Sequence, residues 1–117
     1  MTTQEEAYLR ILKILESQPE ITQRGLAEAL GLSLGKINFL INALVEKGFV
    51  KIGNFRRAGD KLNKIAYLLT PEGISNRLQL TRNYLARKED EYIALKAEIE
   101  ALRHEATHML PERDRVP

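Results

Sequence analysis

The chain contains no cysteine. Disulfides, thiol redox sensing and cysteine-ligated zinc are thereby excluded, and the composition suits a reducing compartment. Long apolar runs are missing too: none approaches the roughly 18 residues that a bilayer-spanning helix needs. The opening MTTQEEAYLR is acidic and has no apolar signal core, so the chain is expected to stay in the cytoplasm. There is no phosphate-binding glycine loop, and no third histidine or cysteine from which a nucleophilic site would be built. These absences point to a binding protein without a cofactor or a catalytic set, not an enzyme.

What is present suffices for one compact domain with chain left over: 117 residues, of which 44% are hydrophobic and 29% charged. The formal net charge is only +2, and its distribution says more than its total. Between Lys47 and Lys64 lie six cations (Lys47, Lys51, Arg56, Arg57, Lys61, Lys64) and one anion, Asp60. From Pro71 onward there are eight cations and nine anions. Basic charge is thus concentrated mid-chain, as a localised phosphate-binding surface requires.

Tyr8, Leu9, Ile11, Leu12 and Leu15 fall at helical spacing on one face. Thr3 with Glu6 predicts the capping box that opens this helix, and Gln18-Pro19 closes it. A second helix is expected from the N-cap Thr22, with Leu26, Ala27 and Leu30 facing inward, and it stops at Gly31. Only Leu32 separates that glycine from Ser33, the N-cap of a third helix running from about Leu34 to Lys47 and ending at Gly48. Its apolar stripe is Ile37, Leu40, Ile41, Leu44 and Val45. Two helices joined by so sharp a corner carry the helix-turn-helix signature.

Phe49–Ile52 and Ile65–Leu69 have strand composition and flank a turn-rich basic tip, Asn54 to Lys61, so they predict a β-hairpin. A hairpin directly after a helix-turn-helix is a wing. Thr70-Pro71-Glu72 then opens a fourth helix with an N-cap, a proline at the first helical position and an acid on the positive end of the dipole. Neither proline nor glycine interrupts the chain from Ile74 to Leu110. One helix of up to about 37 residues is permitted there, roughly 55 Å long at 1.5 Å per residue. A domain of about 70 residues cannot cover such a helix along its whole length, so a partner is expected. The predicted fold is mainly α with a small β-hairpin wing: a winged helix-turn-helix over residues 1–70, then a long C-terminal coiled-coil helix over 71–117 ending in a short disordered tail.

The stretch ITQRGLAEALGLSLGKINFLINALVEKGFVKI, followed after the wing by YLLTPEG, resembles the winged helix-turn-helix of MarR-type regulators. The carrying features are L-V-E-K-G-F-V and a downstream Y-x-L-T-x-x-G, and the likeness spans roughly Tyr8 to Leu80. The short length and coiled-coil tail are most similar to the MarR-family regulators associated with exopolysaccharide (EPS) gene clusters. The resemblance implies a DNA-binding transcriptional regulator. The chain departs from the larger members, lacking their N-terminal dimerisation helix and the helical pair framing their effector pocket, so phenolic effector sensing is not carried over.

If the third helix packs by its apolar stripe, the helical period turns Ser33, Lys36, Asn38, Phe39 and Asn42 outward. The second helix of this motif enters the major groove with its N-terminal part leading. Lys36 suits a guanine edge or a phosphate, Asn38 and Asn42 suit adenine, and Phe39 suits a thymine methyl. Ser33 and Gly35 suit close backbone approach. Arg56, Arg57 and Lys61 of the wing would meet phosphates or the minor groove. A blander set of roles is open to the same residues: a solvated helix face, packing of Phe39 on the first or fourth helix, and a wing kept soluble by its arginines. Winged helices also serve as protein-interaction adaptors.

In the fourth helix Leu78, Leu85, Tyr92, Ile99 and Ala106 recur every seven residues, with Leu95, Leu102 and Met109 three residues after the last three. Thr81 and Lys88 hold the earlier second-seam positions, so the dimerisation seam is strong only from about Leu85: Leu85, Tyr92, Leu95, Ile99, Leu102 and Met109. In a parallel homodimer Glu91 would face Lys96 and Glu98 would face Arg103; an antiparallel one would oppose like charges. Charge therefore favours the parallel coiled coil, although exposed pairs contribute well under about 1 kcal/mol each. A two-fold dimer would present two recognition helices about 34 Å apart to a palindromic double-stranded operator.

His104-Glu105-Ala106-Thr107-His108 matches the H-E-x-x-H pattern of zinc proteases, where two histidines one turn apart bind metal and the glutamate is the base. The heptad register puts both histidines on the outer face with no substrate cleft around them. Glu112 and Asp114 are the only further acids after His108. A catalytic zinc needs an enclosed site and supporting partners, so the match is expected to be accidental and no metal site is assigned.

Overall fold

The computed structural model describes residues 1–55, Gly59 and residues 64–108. The chain runs α1 (Thr3–Ser17), α2 (Gln23–Leu30), α3 (Leu34–Glu46), β1 (Val50–Phe55), β2 (Lys64–Leu69) and α4 (Pro71–His108). A compact unit covers Met1–Asn83 and a second one Tyr84–Pro117, with α4 continuing from the first into the second.

The cap of α1 lies one residue before the expected one. The capping box is Thr2 with Glu5: the Glu5 N–H donates to Thr2 Oγ1 at 3.1 Å and the Thr2 N–H donates to Glu5 Oε1 at 3.3 Å. The sequence TTQEE offers T-x-x-E in two frames, and the earlier frame adds a residue to the helix while satisfying as many orphan amides. Thr22 and Ser33 cap α2 and α3 as expected, accepting from the Gly25 and Lys36 amides at 2.9 and 3.1 Å. Gly31, with φ +67, closes α2 in the left-handed conformation that glycine adopts without steric cost. The axes of α2 and α3 are bent by 110° across this corner, within the range of a helix-turn-helix.

The core of the first unit is wholly apolar among the described residues: Leu9, Ile11, Leu12 and Leu15 of α1, Leu26 and Leu30 of α2, Ile37, Leu40, Ile41 and Leu44 of α3, with Val50, Ala66, Tyr67 and Leu80. Burying a side chain of this size stabilises by about 1.5–3 kcal/mol relative to leaving it exposed. Val45, assigned to the same stripe by its spacing, is half-buried at its edge.

The hairpin is antiparallel, pairing Val50 with Leu69, Ile52 with Tyr67 and Asn54 with Ile65. Asn54 and Phe55, expected in the loop, lie in β1 opposite Ile65 and Lys64, so the paired ribbon reaches further toward the tip than composition indicated. Its base is tied down twice. The Tyr67 N–H donates to Pro19 O at 2.8 Å and the Thr70 N–H to Phe49 O at 3.1 Å. Thr70 also caps α4: its hydroxyl donates to Gly48 O at 2.6 Å and accepts from the Gly73 amide at 3.0 Å. A Cβ at Gly73 would overlap the Phe49 carbonyl oxygen. Threonine and glycine three residues apart are therefore both demanded by the way α4 meets the root of the wing. Arg77 Nε lies 2.7 Å from Glu16 Oε2, an ion pair between α4 and α1 without the angles of a hydrogen bond.

Helix α4 spans 38 residues. Among the described residues no single helix is long and apolar enough to cross a membrane.

Candidate nucleic-acid interface

The four buried residues of α3 fix its outward face. Ser33, Gly35, Lys36, Asn38, Phe39 and Asn42 are all exposed. The Ser33 Oγ is occupied as an acceptor by the Lys36 amide, which leaves its hydroxyl proton free to donate. Phe39 is 57% exposed, so it fills no gap against α1 or α4. The Lys36 ammonium sits 5.3 Å from the centre of its ring, close enough for a cation–π contact.

The two asparagines are not independent. Asn42 Nδ2 donates to Asn38 Oδ1 at 3.1 Å, Asn38 Nδ2 donates to Gln23 Oε1 at 3.2 Å, and Gln23 Nε2 donates to the Tyr67 hydroxyl at 3.1 Å. The chain of amides runs from the outward face of α3, across the first residue of α2, to a buried tyrosine at the base of the hairpin. Sequence reading did not single out Gln23. It sits three residues before Leu26 and seven before Leu30, so it shares their inward stripe, and an amide at that register is the signal that would have found it.

Arg56, Arg57 and Lys61, the expected wing contacts, lie outside the described residues. On the described part of the hairpin Lys51 and Lys64 are exposed.

In the second unit the seam positions Leu85, Tyr92, Leu95, Ile99 and Leu102 are between 39% and 64% exposed; Met109 lies outside the described residues. Ile93 is also exposed, at 65%, but the heptad puts it off the seam. Glu91, expected opposite a partner's Lys96, accepts from Arg87 Nε and Lys88 Nζ on its own helix, each at 3.2 Å. The Lys88 hydrogen bond raises that ammonium above the ordinary lysine value and holds the Glu91 carboxyl below the ordinary glutamate value. The lysine at a second-seam position thus folds its charge against Glu91.

The imidazoles of His104 and His108 stack with centroids 4.3 Å apart, and His108 Nδ1 lies 3.0 Å from the His104 carbonyl oxygen. Among the described residues no group of three or more histidines, cysteines or acids is placed to hold a metal ion. Glu112 and Asp114 lie outside them.

Three helices, a two-stranded wing and a long closing helix make this a winged helix-turn-helix fold. The sequence profile of the family described as winged helix-turn-helix DNA-binding matches residues 8–51. No curated protein matches the chain in sequence. Among solved structures, its fold is similar to that of MarR-family regulators. A MarR-family transcriptional regulator from Rhodococcus sp. RHA1 aligns with a TM-score of 0.60 at 20% identity, over 89% of this chain and 74% of that one. Wild-type MarR from E. coli aligns with a TM-score of 0.58 at 21% identity, over 95% and 79%. MepR from S. aureus, solved as a complex with DNA, aligns with a TM-score of 0.54 at 22% identity, over 91% and 78%. At these identities the likeness is one of fold.

Proposed function

We propose that the chain is a sequence-specific DNA-binding transcriptional regulator that works as a homodimer. Helix α3 enters the major groove by the face of Ser33, Lys36, Asn38, Phe39 and Asn42. The wing, through Arg56, Arg57 and Lys61, lies on the backbone or in the minor groove. The carrying observation is that outward face: polar and aromatic side chains stand exposed on the second helix of a helix-turn-helix whose opposite face is fully buried. The concentration of cations between Lys47 and Lys64 supports the same reading.

Dimerisation is assigned to residues 71–117, through Leu85, Tyr92, Leu95, Ile99, Leu102 and Met109 in a parallel coiled coil. A row of half-exposed apolar side chains at heptad spacing supports it. The operator is then palindromic, and occupancy of a promoter makes the protein a repressor, with genes of exopolysaccharide synthesis the first candidates from the sequence resemblance. Selection of bound duplexes from a random pool tests this reading. Enrichment of an inverted repeat, with half-sites one helical turn (about 10 bp) or a multiple apart, is the expected result. No enrichment beyond random sequence would refute it and leave the winged-helix adaptor as the better account.

A further inference from the structure

The amide chain on the recognition face divides its two asparagines into different roles. An asparagine carboxamide has two N–H donors and an oxygen with two lone pairs. Asn38 has each polar atom engaged once by protein, its nitrogen donating to Gln23 at 3.2 Å and its oxygen accepting from Asn42 at 3.1 Å, so one N–H and one lone pair remain on an amide already held from both sides. Asn42, at the outer end, uses one N–H toward Asn38 and keeps its second N–H and the whole of its oxygen. One donor beside one acceptor on a planar amide is the complement of adenine N7 and N6 in the major groove. Reversing every amide in the chain leaves the same accounting, with Asn38 engaged twice and Asn42 once.

The inner end is anchored. Tyr67 is 7% exposed, and its backbone N–H is held by Pro19 O at 2.8 Å. Gln23 is half-buried between that hydroxyl and Asn38. An exposed asparagine normally samples several rotamers and loses that freedom on binding. Here a buried tyrosine limits the sampling before DNA arrives, through two intervening amides.

We propose that Asn42 is the adenine-reading residue of α3, and that Gln23, Tyr67 and Asn38 are positioning residues that hold its amide in register. This rests on the DNA-binding reading and deepens it, since it reassigns Asn38 from base contact to support and adds two residues that touch no base.

The test uses the full-length protein and a duplex selected from a random pool, then substituted one base pair at a time, with affinity measured for each. In the wild type one adenine per half-site is expected to discriminate against other bases by on the order of 10- to 100-fold. Asn42→Ala abolishes the preference at that base pair and leaves the others. Asn38→Ala, Gln23→Leu and Tyr67→Phe each reduce the preference at that same base pair and at no second one, while helical content by circular dichroism stays at the wild-type level. Gln23→Glu retains it, because a carboxylate accepts from both the Asn38 amide and the Tyr67 hydroxyl. Any general loss of affinity from the added charge cancels in the ratio between bases. Loss of preference at a different base pair in Asn38→Ala would overturn the assignment, as would an unchanged ratio in Asn42→Ala or Gln23→Leu. A wild type that selects no sequence would overturn the DNA-binding reading, and this inference with it.

Discussion

Leu95 and Ile93 lie two residues apart on α4, both exposed, at 53% and 65%. The heptad gives Leu95 a seam position and Ile93 an outer one. Fully burying a leucine stabilises by about 1.5–3 kcal/mol, and roughly half of the Leu95 surface remains to be covered by a partner helix. Pairing is therefore worth about 1 kcal/mol per Leu95 and about 2 kcal/mol per dimer. Leu95→Ala should remove most of that and raise the dimer dissociation constant by about 10- to 30-fold, at 1.4 kcal/mol per tenfold. Alanine is at least as good a helix former as leucine or isoleucine, so neither substitution weakens α4 itself. Sedimentation velocity of the full-length chain over a concentration series reads the shift. Ile93→Ala is the control and should move the midpoint by less than about twofold, because its side chain stays in water in both states. Equal shifts for the two variants, or a larger one for Ile93→Ala, would refute the heptad register.

Gly73→Ala puts a methyl group into the Phe49 carbonyl and cannot be relieved by a side-chain movement; a loss of about 3 kcal/mol or more is expected, and urea denaturation showing under 0.5 kcal/mol would contradict it. The Glu91 carboxyl is held below its ordinary value by Lys88, so this local support for α4 is present above the ordinary carboxylate range and is lost as pH falls through the depressed value. Because Lys88 is raised, its share is present below the ordinary lysine value and is lost as pH rises through the raised one. Helicity by circular dichroism should therefore decline at both extremes, and Glu91→Gln should flatten the acid-side contribution of this pair; an acid limb unchanged by Glu91→Gln would count against it.

Elements whose boundaries are set by local chemistry were legible from sequence. Thr22, Gly31 and Ser33 are caps that any chain would use in the same way, and they define the corner between α2 and α3. Thr70 and Pro71 likewise open α4. The cap of α1 was misplaced by one residue because TTQEE presents the same motif in two frames, and only the one extra helical residue decides between them. The hairpin was underestimated at Asn54 and Phe55 because cross-strand pairing with Ile65 and Lys64 overrides weak local preference.

The outward face of α3 followed from the helical period, and all five expected residues are exposed on it. What the period does not carry is how the side chains on a face engage one another. The link from Asn38 to Gln23 joins residues on different helices, and the one from Gln23 to Tyr67 spans 44 positions. Glu91 was assigned by the heptad to a partner's Lys96. Within its own helix Arg87 and Lys88, four and three residues before it, also engage it, each at 3.2 Å.

The central claim, that this winged helix reads DNA through α3 and its wing, is tested most directly by fluorescence anisotropy. The full-length chain is titrated onto a labelled duplex from its own gene neighbourhood and onto a scrambled one, over a salt series, with Arg56→Ala/Arg57→Ala alongside. The expected result is at least about 10³-fold tighter binding to the specific duplex, with affinity falling steeply as salt rises and a shallower slope in the wing variant. Weak binding that depends neither on sequence nor on the wing arginines would contradict it.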